Sequence, residues 1–109
     1  ARYAAFFADV DVLLTPVLST PVPRVGFIDP VRLEPRELDA RQAATFGFTP
    51  PYNMTGQPSL SLPLQWDEAG LPIGMMFTAR WGDEATLYRL AGQIEQAHPW
   101  AARKPPIWN

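Results

Sequence analysis

Four prolines between residues 19 and 40 set the strictest limit on this chain. Pro21, Pro23, Pro30 and Pro35 each fix φ and remove a backbone donor, so neither a helix nor a central strand can run through them. An irregular stretch of this length inside a compact domain is uncommon. It usually serves as a lid, as a binding loop, or as a segment draped over another part of the protein. Regular structure is therefore expected on either side of it. Upstream, "ARYAAFFADV" (1–10) reads as the tail of a helix with Tyr3, Phe6 and Phe7 on or near one face. "DVLLTP" (11–16) is a short apolar run stopped by Pro16, and such a run suits a strand covered on both faces of an α/β sheet. Downstream, "PRELDARQAATFGF" (35–48) predicts one short helix starting near Glu37, with Pro35 close to its first turn.

The stretch "PYNMTGQPSLSLPL" (51–64) allows three readings: a catalytic loop, a glycosylation site, or a rigid lead-in to a packed strand. "YNMTG" predicts one helical turn with Gly56 as its left-handed exit. Gln57-Pro58 forces an extended backbone next. From Ser59 onward Leu60, Leu62 and Leu64 point to one face and Ser59, Ser61 and Pro63 to the other, so something must pack closely on the small side. "QWDEAGLP" (65–72) is turn chemistry, and "IGMMFTAR" (73–80) completes an antiparallel hairpin with a longish loop. The last element is a helix with Gly82 at its cap and Asp83 and Glu84 in its first turn, at the positive end of the dipole. Leu87, Leu90, Ala91, Ile94 and Ala97 form its apolar face, and Pro99 ends it. The two tryptophans of "PWAARKPPIWN" are expected to fold back as anchors.

Composition narrows the function. The 109 residues allow one domain with a modest core. They are 47% hydrophobic and only 18% charged, so part of the surface is expected to meet something else. A net charge of −2 with scattered Lys and Arg argues against nucleic-acid binding. No apolar run reaches membrane length, and no signal peptide is visible, so no membrane partner is expected. The absence of cysteine excludes disulfides and thiolate metal sites and fits a reducing compartment, with the cytoplasm as the expected location. The chain begins with Ala, inside a helical pattern, and reads as a fragment of a longer protein.

Chemistry-bearing motifs are sparse. The single histidine, His98, sits at a helix end without a His or Cys partner, so no metal site is expected. Ser59 and Ser61 lie outside any Gly-x-Ser-x-Gly elbow and read as small residues on a packed strand face. The seven glycines make no phosphate-binding loop, and no cofactor is expected. Asn53-Met54-Thr55 matches the glycosylation pattern, but Asn53 and Thr55 read better as local bonds to backbone that hold the turn. The carboxylate pairs Asp9 with Asp11 and Asp83 with Glu84 read as a turn and a helix cap.

Three stretches in this order carry a resemblance. "DVLLTPVLSTPVP", "FTPPYNMTGQPSLSLPL" and "GLPIGMMFTARWGDEATLYRLAGQIEQAHPW" together resemble the C-terminal part of amidase-signature enzymes. The shared features are Asp-Val-hydrophobic-Thr-Pro at Asp11 to Pro16 and Asn-x-x-Gly-x-Pro-x-hydrophobic-Ser-hydrophobic-Pro at Asn53 to Pro63. They continue with Gly-Leu-Pro-hydrophobic-Gly at Gly70 to Gly74 and Gly-Asp-Glu at Gly82 to Glu84. The resemblance covers most of the chain except 19–40.

It implies an α/β/α fold with a mixed sheet. To that fold this chain would bring a short strand, the long Pro-rich loop, an antiparallel hairpin and a C-terminal helix, all within one amidase domain. It implies hydrolysis of carboxamide C–N bonds by a serine nucleophile, a bridging serine with a cis peptide bond and a lysine base, with no metal. Those three residues belong to an earlier Gly/Ser-rich region that nothing here matches. Lys104, the single lysine, is not the family lysine, so no catalytic residue is expected in this chain and the chain alone is expected to be inactive.

The resemblance places Phe46, Gly47, Phe48 and Pro50 beside the acyl side of a small-molecule amide substrate. Their aromatic content suggests an apolar or aryl acyl group. Asn53, Thr55, Gly56 and Pro58 would form a structural corner behind them. In the glutamyl-tRNA amidotransferase A subunits an aspartate near this point helps bind the amino group of glutamine. Gly47 stands there instead, which speaks against that role. The alternative reading is a non-catalytic interaction or oligomerisation module. On either reading the isolated chain is expected to be a homodimer or larger.

Overall fold

The computed structural model describes residues 2–108. The sequence-based expectations for Ala1 and Asn109 therefore lie outside the described residues. The elements run α1 (Arg2–Phe6), β1 (Val12–Pro16), α2 (Pro35–Thr45), α3 (Pro50–Thr55), β2 (Ser59–Trp66), β3 (Pro72–Ala79) and α4 (Glu84–Ala97). A 3₁₀ turn, Pro106–Trp108, follows. This is an α/β architecture built on one three-stranded antiparallel sheet of order β1-β3-β2.

The hairpin β2–β3 pairs Ser59 with Thr78, Leu60 with Phe77, Ser61 with Met76 and Leu62 with Met75. A bulge between Pro63 and Gln65 absorbs one residue, as a proline inside a strand requires. On the other side of β3, Val12 pairs with Ala79, Leu14 with Phe77 and Thr15 with Met76. Directly opposed residues share a face, so the register sorts the sheet into two sides. Leu60, Leu62, Met75, Phe77 and Ala79 meet α4, whose Leu87, Leu90, Ala91 and Ile94 supply its apolar stripe. The tightest part of this core is Leu62, Phe77, Ala79 and Leu87.

The opposite side carries Ser59, Ser61, Met76 and Thr78, with Tyr52 of α3 close to Thr78 there. Close packing on the small side is explicit. A methyl group on Gly74 would sit 2.8 Å from Ser61 Oγ and 3.0 Å from Val17 Cγ2. Val17 reaches this point because its N–H donates to Gly74 O at 3.1 Å, one step beyond β1.

Several expectations need correction. Asp83, not Gly82, is the N-cap of α4, so only Glu84 lies in the first turn. The Asp83 carboxylate is engaged by the Thr86 hydroxyl at 2.8 Å rather than by a backbone N–H. In the α1 region Phe7 is buried but Phe6 is 46% exposed. Trp100 folds back onto the core, whereas Trp108 is 69% exposed. Trp66 finds a different partner: the Arg103 guanidinium lies 3.9 Å over its ring.

Strand β1 was expected to be covered on both faces. Here it is an edge strand with Leu14 51% exposed, and Thr15 Oγ1 is buried without a hydrogen-bond partner. The whole body is correspondingly thin and open. Its extents are 43 × 42 × 18 Å and its radius of gyration 16.4 Å, against about 13 Å for a compact body of this length. Its accessible surface is 8311 Å², against about 6,100 Å² for a compact monomer of the same mass.

Candidate substrate wall and its relatives

The stretch from α2 to β2 is built from helix-ending chemistry. Helix α2 stops at Thr45, and Phe46 caps it by donating its N–H to Gln42 O at 2.8 Å. Thr45 is fully buried and returns its hydroxyl to Arg41 O at 2.8 Å. After Thr49 the chain turns again into α3, where Pro50 and Pro51 occupy the first turn and need no donors. Gly56 leaves α3 at φ 72°, ψ 18°, the left-handed region that an L side chain resists. Its N–H donates to Tyr52 O at 2.9 Å. Thr55, not Asn53, supplies the side-chain bond to local backbone, from its hydroxyl to Pro51 O at 3.0 Å. Pro58 then launches β2, with its carbonyl accepting from Ala79 N–H at 3.1 Å.

This double bend leaves a hollow of about 600 Å³ between the end of α2 and the start of α3. Phe46, Gly47 and Pro50 line it, joined by Asp39, Gln42 and Ala43 from α2 and by Thr49 and Asn53. Phe48 lies outside its wall. A second, smaller hollow of about 240 Å³ shares Thr49 and Asn53 and continues over Tyr52, Gln57, Ser59 and Met76. Sequence reasoning missed Asp39, Gln42 and Thr49. The signal for the first two was present: positions 39, 42, 43 and 46 share one helix face.

Ser59 Oγ and Thr78 Oγ1 are 2.8 Å apart and engage one another. The titratable neighbour is Tyr52, whose hydroxyl is pushed above its ordinary value of 10.0 chiefly by burial, with the Thr78 side chain pulling the other way and Tyr3 adding to the rise. Tyr52 therefore stays neutral and is a poor proton acceptor. His98 is exposed at the C-cap of α4, and Lys104 is exposed in the tail. Among the described residues, no group of three or more His, Cys, Asp and Glu side chains is placed to hold a metal ion. What the hollow offers is the Phe46 ring and Pro50 beside two primary amides, Gln42 and Asn53, and the Asp39 carboxylate.

The family profile described as Amidase matches residues 1–88. The chain belongs to the amidase family. AmiC of Mycobacterium leprae (strain TN) is 46% identical over 100 residues, which is 92% of this chain and 21% of that protein. The 6-aminohexanoate-cyclic-dimer hydrolase of Paenarthrobacter ureafaciens is 35% identical over 106 residues, 91% of this chain and 21% of the hydrolase. A solved structure of 6-aminohexanoate cyclic dimer hydrolase superposes with a TM-score of 0.83 at 31% identity, covering 99% of this chain and 23% of that one. The chain thus spans about a fifth of the length of the relatives it matches. Its backbone nevertheless follows the course of the matching 23% of that solved hydrolase. No helix among the described residues is long and apolar enough to cross a membrane.

Proposed function

We propose that this chain is the C-terminal scaffold and acyl-side substrate wall of a serine amidase that cleaves carboxamide C–N bonds. In this reading 1–109 form part of one amidase domain. The serine nucleophile, bridging serine and lysine base stand on polypeptide outside the chain. The observation that carries the reading is the hollow bounded by Phe46, Gly47 and Pro50, on a segment that keeps an amidase backbone and whose Ser59 hydroxyl engages Thr78 rather than a base. The exposed Leu14 and the unpartnered Thr15 hydroxyl support it, because both are accounted for by neighbouring polypeptide of the same domain.

In the reaction, the serine oxygen bonds to the substrate carbonyl carbon as the lysine takes its proton. Backbone N–H groups stabilise the resulting oxyanion. The C–N bond then breaks, the amine leaves with a proton, and water frees the acid. This chain's contribution is to seat the acyl group: Phe46 and Pro50 cover an apolar stem, and Gln42 and Asn53 can hydrogen-bond a second carbonyl or amide. That combination suits linear or cyclic amides with a short apolar chain. One relative is named for hydrolysing the 6-aminohexanoate cyclic dimer.

The test is Phe46→Asp in the full enzyme. A carboxylate there opposes an apolar acyl group, so kcat/KM for such amides should fall roughly tenfold or more relative to a small, polar amide. An unchanged substrate profile removes Phe46 from the site.

A second reading, a self-sufficient interaction module, draws on the same exposed edge strand and on Trp81, 77% exposed. Both readings predict that the isolated chain associates into a homodimer or larger, because β1 offers an unpaired edge. Light scattering at rising concentration checks this, and a clean monomer throughout contradicts it. The readings separate on the gene: a Gly/Ser-rich stretch and a lysine encoded upstream select the amidase.

A further inference from the structure

The Pro-rich segment 17–34 is tied to α2 at two points. Arg41 donates through Nη1 to Phe27 O at 2.7 Å, and its guanidinium lies 4.8 Å over the Phe27 ring. Near the other end, Ser19 donates its N–H to Thr45 O at 2.9 Å and accepts the Gly47 N–H on Oγ at 3.1 Å. These last two bonds straddle Phe46. The first satisfies a carbonyl in the last turn of α2, where helix carbonyls have no partner of their own. The second fixes the direction of the residue that follows the aromatic wall.

The contact leaves no room for a side chain at position 47 unless the Ser19 hydroxyl turns away. A Cβ on Gly47 would stand 2.7 Å from Ser19 Oγ, a distance at which something must shift, and 3.9 Å from Ser19 Cβ, an ordinary contact. Gly47 has an unremarkable φ, so the Ser19 hydroxyl is what a side chain there would meet.

We propose that Ser19 is a positioning residue for the substrate hollow. By clamping both neighbours of Phe46, it holds the wall formed by Phe46 and Gly47 in place, and the Pro-rich segment acts as a fixed strap rather than as a lid. The inference rests on the amidase reading for its effect on substrate, but the clamp itself has an independent readout.

The experiment compares Ser19→Ala, Gly47→Ala and the double variant in the full-length enzyme, measuring kcat and KM separately on an apolar acyl amide. Ser19→Ala should raise KM roughly tenfold, with the loss concentrated there, since small displacements of a positioning wall are felt strongly. Gly47→Ala should cost at least as much, because its methyl drives against the hydroxyl. The double variant should be no worse than Ser19→Ala alone, because the obstructing atom is gone and coupled sites are non-additive. Amide hydrogen exchange at Gly47 should accelerate in Ser19→Ala. An unchanged KM in Ser19→Ala, or singles that multiply in the double variant, would overturn the proposal, and so would an unaltered Gly47 exchange rate. If the wild-type enzyme turns over no amide, the amidase reading fails by itself, and Gly47 exchange still decides the clamp.

Discussion

Leu87→Ala is expected to destabilise the protein by about 2–5 kcal/mol, the range for truncating a buried leucine. Leu87 is 4% exposed and closes the cluster of Leu62, Phe77 and Ala79, where α4 meets the hairpin. The size of the effect matters because the core is small. Native domains hold only about 5–15 kcal/mol in total, and this thin body buries few other large side chains. The variant should lose its cooperative transition or shift it strongly to lower denaturant in a urea titration followed by circular dichroism. Tyr88→Ala, one residue along and 73% exposed, should change stability by less than about 0.5 kcal/mol. Equal behaviour of the two variants would place the core elsewhere.

The sequence made this core legible because its pattern is periodic and local. The i, i+3, i+4, i+7 series through α4 and the Leu alternation of β2 each encode one buried face, and both faces meet in the structure. Gly56 was readable for the same reason, since a left-handed exit before an extended Gln57-Pro58 leaves few conformations. The cap of α4 was misplaced by one residue because Gly82 and Asp83 both satisfy helix-start chemistry, and only backbone geometry separates them. Trp108 was misjudged because hydrophobicity signals burial without naming the partner. Neither the edge position of β1 nor the exposure of Leu14 could be read from an apolar run, since that run is the same whether a neighbour is in the chain or outside it.

The hollow proposed as a substrate wall was legible only in part. The resemblance pointed to Phe46, Gly47, Phe48 and Pro50, and the fold brings Phe46, Gly47 and Pro50 to one hollow while leaving Phe48 out of its wall. The sharp turn between Phe46 and Thr49 makes that difference, and turn geometry is not written in residue type. Ser19 carried no signal at all. It lies 28 residues from Gly47 in an irregular segment, and long-range side-chain bonds leave no periodicity.

The 109 residues alone are expected to hydrolyse no amide. Ser59 shares its hydroxyl contact with Thr78, not with a base, and the Ser61 hydroxyl lies against Gly74 of the neighbouring strand. A serine without a base within hydrogen-bond reach is not activated. Enzymatic acceleration of about a millionfold or more therefore has no source in the wall alone. The deciding measurement is amide hydrolysis by the isolated chain beside the full-length enzyme, on the same apolar acyl amides. The account predicts release at the buffer rate from the chain and turnover from the full enzyme. Sustained turnover by the chain, lost on Ser59→Ala or Ser61→Ala, would contradict it.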